Sequence, residues 1–222
     1  MSFSLIELFR LGGVFMWPLL LFSVAVISIS LERAVYLGYH NLRMDDLEAV
    51  LLDCIREGDF ARAREYLSPL VQRRMGARIL LTLIDCCGLG ERRMERAVET
   101  RALSCVNSLE SGLNFLTALG SISPLTGFLG TVSGMIGAFR SIAEAAEVNA
   151  QIVANGIYEA LITTVFGLII AIIAMICHSI FSHVVDKFSA DVEQTCSDLI
   201  IEITAPQTPK GRIREIRFHD DH

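Results

Sequence analysis

Three polar side chains stand out because they lie in, or beside, long stretches of sequence without charge. Thr131 lies in a charge-free run of 29 residues (111–139), Thr164 lies in one of 26 residues (160–185), and Glu159 directly precedes the second run. In a membrane segment such groups are costly, and by default they indicate an ion or substrate path. Two alternatives remain open. The hydroxyls could bond carbonyls four residues earlier in their own helices, and Glu159 could offset the dipole of a helix N-terminus.

Small residues flank these polar positions in both runs. The first run carries small residues at steps of three and four: Gly120, Ser123, Gly127, Gly130, Gly134 and Gly137. At 100° per residue, one face of the second run collects Thr163, Thr164, Gly167 and Ala171, while Leu and Ile cover the other face. Small residues allow the backbones of two membrane helices to approach closely. Tight helix packing is therefore an alternative to a functional role for these faces.

Other kinds of site have no pattern in this sequence. It contains no Ser/His/Asp set, phosphate-binding loop or zinc motif, so we predict that the protein is not an enzyme. No basic cluster with interleaved aromatic residues suggests nucleic acid. The six cysteines form no CxxC pair or regular framework, which indicates reduced thiols.

The charge-free runs are long enough to form membrane helices, and these helices would position the polar side chains. The chain is 52% hydrophobic and 20% charged, and a further run of 21 residues (11–31) carries no charge. A transmembrane helix needs about 20 apolar residues, because about 30 Å of hydrocarbon is crossed at about 1.5 Å per residue. We therefore predict an all-α integral membrane protein with three transmembrane helices, at 11–31, 111–139 and 159–185.

Long helical extensions are expected beside these spans. Amphipathic patterns fill 32–110, and one unbroken helix is predicted from Glu91 to Phe139 because no proline occurs there before Pro124. The third span should continue past Asp186 to about Thr204. Both extensions then project from the membrane on the same side.

Basic residues give the predicted orientation. Segment 32–110 holds 12 of the 19 Lys and Arg residues and segment 186–222 holds five, whereas the link 141–158 has none. Cytoplasmic segments collect Lys and Arg. The middle segment and the 186–222 helix extension and tail are therefore predicted to be cytoplasmic. The N-terminal arm (1–10) and the loop 140–158 are predicted to lie outside.

Two motifs carry a specific resemblance. The segment SPLTGFLGTVSGMIGAF (123–139) is similar to the second-span motif of the MotA/TolQ/ExbB proton channel family, and ANGIYEALITTVFGLIIAI (154–172) resembles that family's third-span opening. The three-span topology resembles the ExbB/TolQ branch rather than the flagellar motor branch, which usually has four spans. Two positions depart from the pattern: Ile173 stands where the family often has Pro, and His178 where it often has Asn.

The resemblance implies a function as well as a fold. It implies a homopentamer in the bacterial inner membrane, with a periplasmic N-terminus and a cytoplasmic C-terminus, whose second and third spans line a pore. Two helices of a single-span ExbD/TolR-like partner would lie inside that pore, and a TonB/TolA-like protein would be the further partner. By resemblance, Thr131, Glu159 and Thr164 match ion-path residues. The expected pore-lining small residues are Gly127, Gly130, Gly134, Thr163, Gly167 and Ala171.

The implied activity is that of an ion-channel, stator-like subunit. It would couple the proton motive force to mechanical work on a periplasmic or outer-membrane partner, as in biopolymer or siderophore uptake and envelope energisation. Protons, or alternatively sodium, would be the coupling ion, and no other cofactor is expected. A non-conducting membrane scaffold for an envelope complex is the competing interpretation.

Overall fold

The computed structural model of the chain describes residues 13–144 and 150–204, which form seven α-helices, one short 3-10 helix (Ser68–Leu70) and no strand. The α-helices are α1 (Met16–Tyr39), α2 (Asp45–Glu57), α3 (Phe60–Leu67), α4 (Met75–Asp85), α5 (Glu91–Glu110), α6 (Leu113–Glu144) and α7 (Ala150–Thr204). The predicted all-α class is confirmed. The predicted N-terminal arm (1–10) and the end of the chain after Thr204 lie outside the described residues.

Three helical stretches in the described residues are long and apolar enough to cross a membrane. They are Met16–Tyr39, Glu91–Glu144 and Gly156–Thr204. Each contains one of the charge-free runs, so the prediction of a three-helix, multi-pass membrane protein is confirmed. The limits of each span and the orientation of the termini stay predictions.

The single helix predicted from Glu91 to Phe139 is wrong, because the helix breaks at Ser111–Gly112. Gly112 has φ +90°, a left-handed conformation that a residue with a side chain rarely adopts. The Arg33 guanidinium donates to the carbonyls of Ser108 (3.3 Å) and Leu109 (3.4 Å), in the last turn of α5. Capping by a distant helix thus stabilises a helix end that the local sequence did not reveal.

The third long helix includes the extension that was predicted beyond the span. α7 continues past Asp186 to Thr204, and its 55 residues would span about 82 Å at 1.5 Å per residue. The helices also extend into the segment predicted to be a loop, since α6 continues to Glu144 and α7 begins at Ala150. No proline occurs between 141 and 158 to stop them.

Two separate hydrophobic cores are joined by α7. One lies between α1, α6 and α7 and includes Leu19, Leu116 and Ala174. The other lies between α2, α3, α4, α5 and the C-terminal half of α7 and includes Leu80 and Phe188. α7 therefore connects the helices around the first core to those around the second.

Candidate functional site

Thr131 of α6 and Thr164 of α7 meet at the contact between the two helices. Their Oγ1 atoms lie within hydrogen-bond distance of each other. Thr131 Oγ1 also lies 3.1 Å from the Ala160 carbonyl oxygen, and Thr164 Oγ1 lies 3.1 Å from the Gly127 carbonyl oxygen. Each hydroxyl can therefore donate to a carbonyl of the opposite helix. The structure thus brings together two residues that are 33 positions apart in the sequence.

The hydroxyl pair keeps hydrogen-bonding capacity for a further group. A hydroxyl has one proton to donate and two acceptor lone pairs. If one threonine donates to the other and that one donates to a carbonyl, acceptor lone pairs remain on both oxygens. Both side chains are only half-buried. The pair can therefore accept a hydrogen bond from water or from a protonated carboxyl group, or contribute oxygen ligands to a cation.

Thr163 has a different environment from Thr164. It is 1% exposed, and its hydroxyl donates to the carbonyls of Ala160 (2.8 Å) and Gly127 (3.2 Å). Three threonine hydroxyls thus converge on two backbone carbonyls, but only Thr131 and Thr164 are accessible from outside the helix pair. We conclude that Thr163 fixes the packing of α6 on α7.

Glycines let the two backbones come this close. A Cβ at Gly127 would lie 2.7 Å from the Thr163 carbonyl oxygen, and a Cβ at Gly167 would lie 2.6 Å from the Ser123 carbonyl oxygen. Such distances are too short for real Cβ atoms. The local small-residue pattern therefore positions the hydroxyls by excluding side chains from the contact.

The predicted pore-lining residues lie at this same contact within one chain. Thr163 and Ala171 are buried, and Cβ atoms at Gly130 and Gly134 would meet side chains of α7. The packing alternative left open by the sequence is therefore observed for these positions. Their role in lining a pore, in an assembly of several chains, stays a prediction.

Pro124 interrupts the backbone hydrogen bonds of α6 three residues before Gly127. It lies inside α6 and has no N–H to donate to the Gly120 carbonyl one turn earlier. The neighbouring Ser123 is fully buried, and its hydroxyl donates to the Leu119 carbonyl at 2.6 Å. This leaves α6 with a weakened backbone ladder next to the turn that presents Gly127.

Glu159 lies apart from the threonine pair. A Cβ placed on Gly13 would overlap its Oε1 atom, so its carboxyl group packs against the start of α1. Along α7, Glu159 and Thr164 are five residues apart and thus about 140° around the helix. The helix-dipole alternative does not hold, because α7 begins at Ala150 and dipole effects fall off within the first turn. The contact with Gly13 was not foreseen, and no sequence spacing links the two positions.

Two arginines that stabilise the bundle outside the spans were also missed. Arg33 is buried and caps α5, as described above. Arg74, also buried, makes a two-pronged ion pair with Asp46 (Nη1–Oδ2 2.6 Å, Nη2–Oδ1 2.9 Å) and a bond to the Arg43 carbonyl. The hydrogen bond from Arg74 lowers the pKa of the Asp46 carboxyl. In the sequence both are ordinary members of an Arg-rich segment.

Comparisons with known proteins cover most of the chain. The family described as the MotA/TolQ/ExbB proton channel family matches residues 68–194, which include α6 and most of α7. The putative biopolymer transport protein ExbB-like 1 of Synechocystis is 31% identical over 193 residues, which cover 84% of this chain and 75% of that protein.

Two further relatives match over shorter stretches. The biopolymer transport protein ExbB of Pseudomonas putida is 31% identical over 130 residues, 57% of this chain and 38% of that protein. The Tol-Pal system protein TolQ of Pseudomonas aeruginosa is 46% identical over 74 residues, 33% of this chain and 32% of that protein. Relatives of both names are consistent with the ExbB/TolQ-like branch. With the three apolar helices and the motifs around Thr131 and Thr164, these matches show that the chain belongs to the MotA/TolQ/ExbB proton channel family.

Proposed function

We propose that this protein is the ion-conducting, stator-like subunit of an inner-membrane motor, which couples an ion gradient to mechanical work on a periplasmic or outer-membrane partner. The observation that carries the proposal is the half-buried hydroxyl pair Thr131–Thr164, bridged to carbonyls of both helices. A pair that served packing alone would be enclosed, as Thr163 is.

The charge-free runs imply that a second protein completes the path. Residues 111–139 and 160–185 contain no Asp, Glu, Lys or Arg. A proton-accepting carboxyl group at the depth of the threonines must then come from elsewhere. A single-span partner of ExbD/TolR type would supply it. Protonation would remove the cost of exposing that carboxylate to apolar walls and so permit a movement.

The assembly belongs to the same proposal. Five chains would surround the partner's helices, with the open side of the threonine pair facing them and Glu159 nearer the periplasm. Protons would be the coupling ion, with sodium as the alternative, and a TonB/TolA-like protein would receive the movement. Each charge that crosses 100 mV provides about 2.3 kcal/mol, so a few charges per step are sufficient for mechanical work.

The test compares valine variants of three threonines. Thr131→Val and Thr164→Val keep the side-chain shape and remove the hydroxyl, and Thr126→Val is the matched control, because the Thr126 hydroxyl donates to the Ile122 carbonyl of its own helix. Proton flux is measured in proteoliposomes that hold the chain with its single-span partner. We expect flux to fall at least about tenfold in the first two variants, the effect of losing one hydrogen bond to a charged group.

Assembly must be measured in the same samples. The proposal requires that the Thr131→Val and Thr164→Val complexes form normally and that Thr126→Val conducts normally. Undiminished flux in the Thr131→Val/Thr164→Val double variant would favour a non-conducting scaffold. Loss of the complex in these variants, with normal flux through any that survives, would assign the pair to packing.

A further inference from the structure

A groove between α5 and the C-terminal part of α7 has an apolar floor and an acidic rim. Its volume is about 580 Å³. The floor includes Val98, Ala102, Leu103, Val192, Ile200 and Ile201. The charged side chains among its lining residues are Glu91, Glu95, Glu99 and Glu193. All four are carboxyl side chains, so the rim is acidic.

Large apolar side chains in this groove face outward. Leu103 is 57% exposed and Ile201 is 62% exposed. Both lie outside the charge-free runs, in the part of the chain predicted to project from the membrane. Adjacent exposed apolar residues with a polar rim are typical of a binding surface. The charge of the rim indicates that the occupant is basic.

A segment of the same chain has matching chemistry. Residues 210–218 read KGRIREIRF, with four basic residues, one acidic residue and three large apolar residues. We propose that this C-terminal segment of the chain docks in the groove between α5 and α7 of the same molecule. Ile213, Ile216 and Phe218 would cover the apolar floor, and the basic side chains would pair with the glutamates of the rim.

The chain has the length to make this contact. The groove extends along α7 from Ser189 to Ile201, which is about 18 Å at 1.5 Å per residue. Described structure ends at Thr204, three residues after Ile201 and thus at one end of the groove. Residues 205–209 can extend at most about 18 Å, which is enough to reverse direction before the basic residues begin at Lys210.

The same distances disfavour the membrane surface as the occupant. Thr204 lies 19 residues beyond Val185, where the last charge-free run ends, so it is about 28 Å farther along the helix. The Debye length at physiological ionic strength is about 8 Å. Attraction to anionic lipid headgroups is therefore screened where the segment leaves α7, whereas the glutamates are adjacent.

Photo-crosslinking of the full chain tests this proposal. A benzoylphenylalanine replaces Leu103 in the groove or, as the control, Tyr39, which is exposed on α1 and does not line the groove. Each protein is irradiated in nanodiscs that contain phosphatidylglycerol, and the products are sized and then identified by mass spectrometry. From position 103 we expect a product of single-chain mass joined to a peptide within 210–218. We expect no such product from position 39.

Charge dependence is tested with a reversed tail, K210E/R212E/R214E/R217E. Its crosslink yield should fall about tenfold, and so should the wild-type yield near 1 M salt, where the Debye length is about 3 Å. A size-exclusion profile identical to wild type confirms an intact fold of the variant. A crosslink yield that is unchanged both by the charge reversal and by high salt would contradict the proposal.

The other products of the reaction would also overturn it. A product of twice the chain mass would place a second copy in the groove. Crosslinking of position 103 to lipid, or of the tail to lipid in a parallel reaction from Phe218, would place the segment on the membrane. Absence of any tail product from position 103 would show that the groove is not its docking site.

Discussion

The hydroxyl oxygens of Thr131 and Thr164 differ from that of Thr163 in their accessibility. Thr163, one residue from Thr164, uses its hydroxyl within a closed contact, whereas the two path candidates meet at the half-open edge of the same contact. The difference arises from the turn of the helix, since adjacent residues are 100° apart. Gly127 makes this geometry available, because its carbonyl oxygen lies within hydrogen-bond distance of all three hydroxyls and no side chain intervenes.

Gly127→Ala should loosen the contact between α6 and α7. The added Cβ would lie 2.7 Å from the Thr163 carbonyl oxygen, and a backbone atom cannot swing aside. We expect destabilisation of about 1–3 kcal/mol, measured as a lower thermal midpoint in detergent. Gly38→Ala is the control, because a Cβ there meets nothing within 4 Å, and it should stabilise its helix by up to about 1 kcal/mol. Equal midpoints for the two variants would contradict the close approach at Gly127.

The junction between α5 and α6 depends on a side chain from α1. Arg33 caps the last-turn carbonyls of α5 and is paired with Glu32. Its Nε atom is also close to Gly112, since a Cβ placed on that glycine would lie 3.2 Å from it. The break therefore has two causes, a glycine that tolerates positive φ and an arginine that satisfies freed carbonyls. Through this junction α5, which is predicted to lie outside the membrane, leads into the helix that carries Thr131.

Replacing Arg33 should loosen this junction without unfolding the chain. Arg33→Met leaves the Ser108 and Leu109 carbonyls without their guanidinium donor, at a cost of about 1.5–3 kcal/mol. We expect faster hydrogen exchange of amides in 107–116, followed by mass spectrometry. Arg93→Met, at an exposed position of α5, should leave that exchange unchanged. Slow exchange in Arg33→Met would show that Gly112 alone determines the break.

The Asp46–Arg74 ion pair joins α2 to the start of α4 and should make stability depend on pH. The hydrogen bond from Arg74 lowers the pKa of Asp46 from its ordinary 3.8, so its stabilisation is present above that value and is lost as pH falls through the lower folded value. Because Asp46 is 58% exposed, the effect should be at most about 1 kcal/mol. Asp46→Asn should therefore have a lower thermal midpoint than wild type near pH 7, and the difference should shrink below about pH 4.

The neighbouring Asp45→Asn is the control for this comparison, since Asp45 is exposed on the same helix turn. The difference in thermal midpoint between Asp45→Asn and wild type should not shrink below about pH 4. A constant difference between wild type and Asp46→Asn from pH 7 to pH 3 would mean that the ion pair does not titrate in this range.

At the scale of the whole molecule, one helix connects two functional regions. α7 packs against α1 and α6 in one core, and it packs through Phe188 and Leu199 against the second bundle, which is predicted to lie outside the membrane. Thr195 donates to Glu48 (2.9 Å) and Arg56 donates to Glu202 (3.0 Å), which ties α2 to the same helix.

The orientation of the chain can be tested by labelling thiols. A cysteine introduced at Val148 should react with an impermeant maleimide on intact cells, because 140–158 is predicted to be periplasmic. The half-buried Cys86 should react only after permeabilisation. Cys105 and Cys196 are poor reporters, since both are buried and burial raises the pKa of the Cys196 thiol to about 12. Labelling of Cys86 on intact cells would contradict the predicted orientation and indicate the opposite one.

Assembly into a ring is best tested at Gly137. Leu at Gly130 or Gly134 would first break the contact of α6 with α7 inside one chain, where a Cβ already meets Thr163 or Ala160. A Cβ on Gly137 meets nothing within 4 Å. Gly137→Leu should thus leave the chain folded and disrupt its packing against a neighbour, measured by native mass spectrometry with and without the single-span partner. An oligomer of unchanged size would exclude this face from the ring contact.

The sequence by itself determined the class of the molecule and the residues worth testing. Charge-free runs of this length indicate membrane helices, because about 20 apolar residues cross the bilayer and a helix satisfies its own backbone hydrogen bonds in lipid. The motifs around Thr131 and Thr164 could also be identified from the sequence, because each lies within one continuous segment. The continuation of α7 past Asp186 was also predictable, since the sequence has no proline between Asp186 and Pro206.

Only the tertiary structure decided how those residues are used. Gly112 breaks a helix because Arg33, 79 positions earlier, reaches the freed carbonyls, and Glu159 turns toward Gly13 rather than toward the threonines. The small-residue stripe packs two helices of one chain. In each case the deciding partner is distant in sequence, and periodicity reports which face a residue is on but not which helix covers that face.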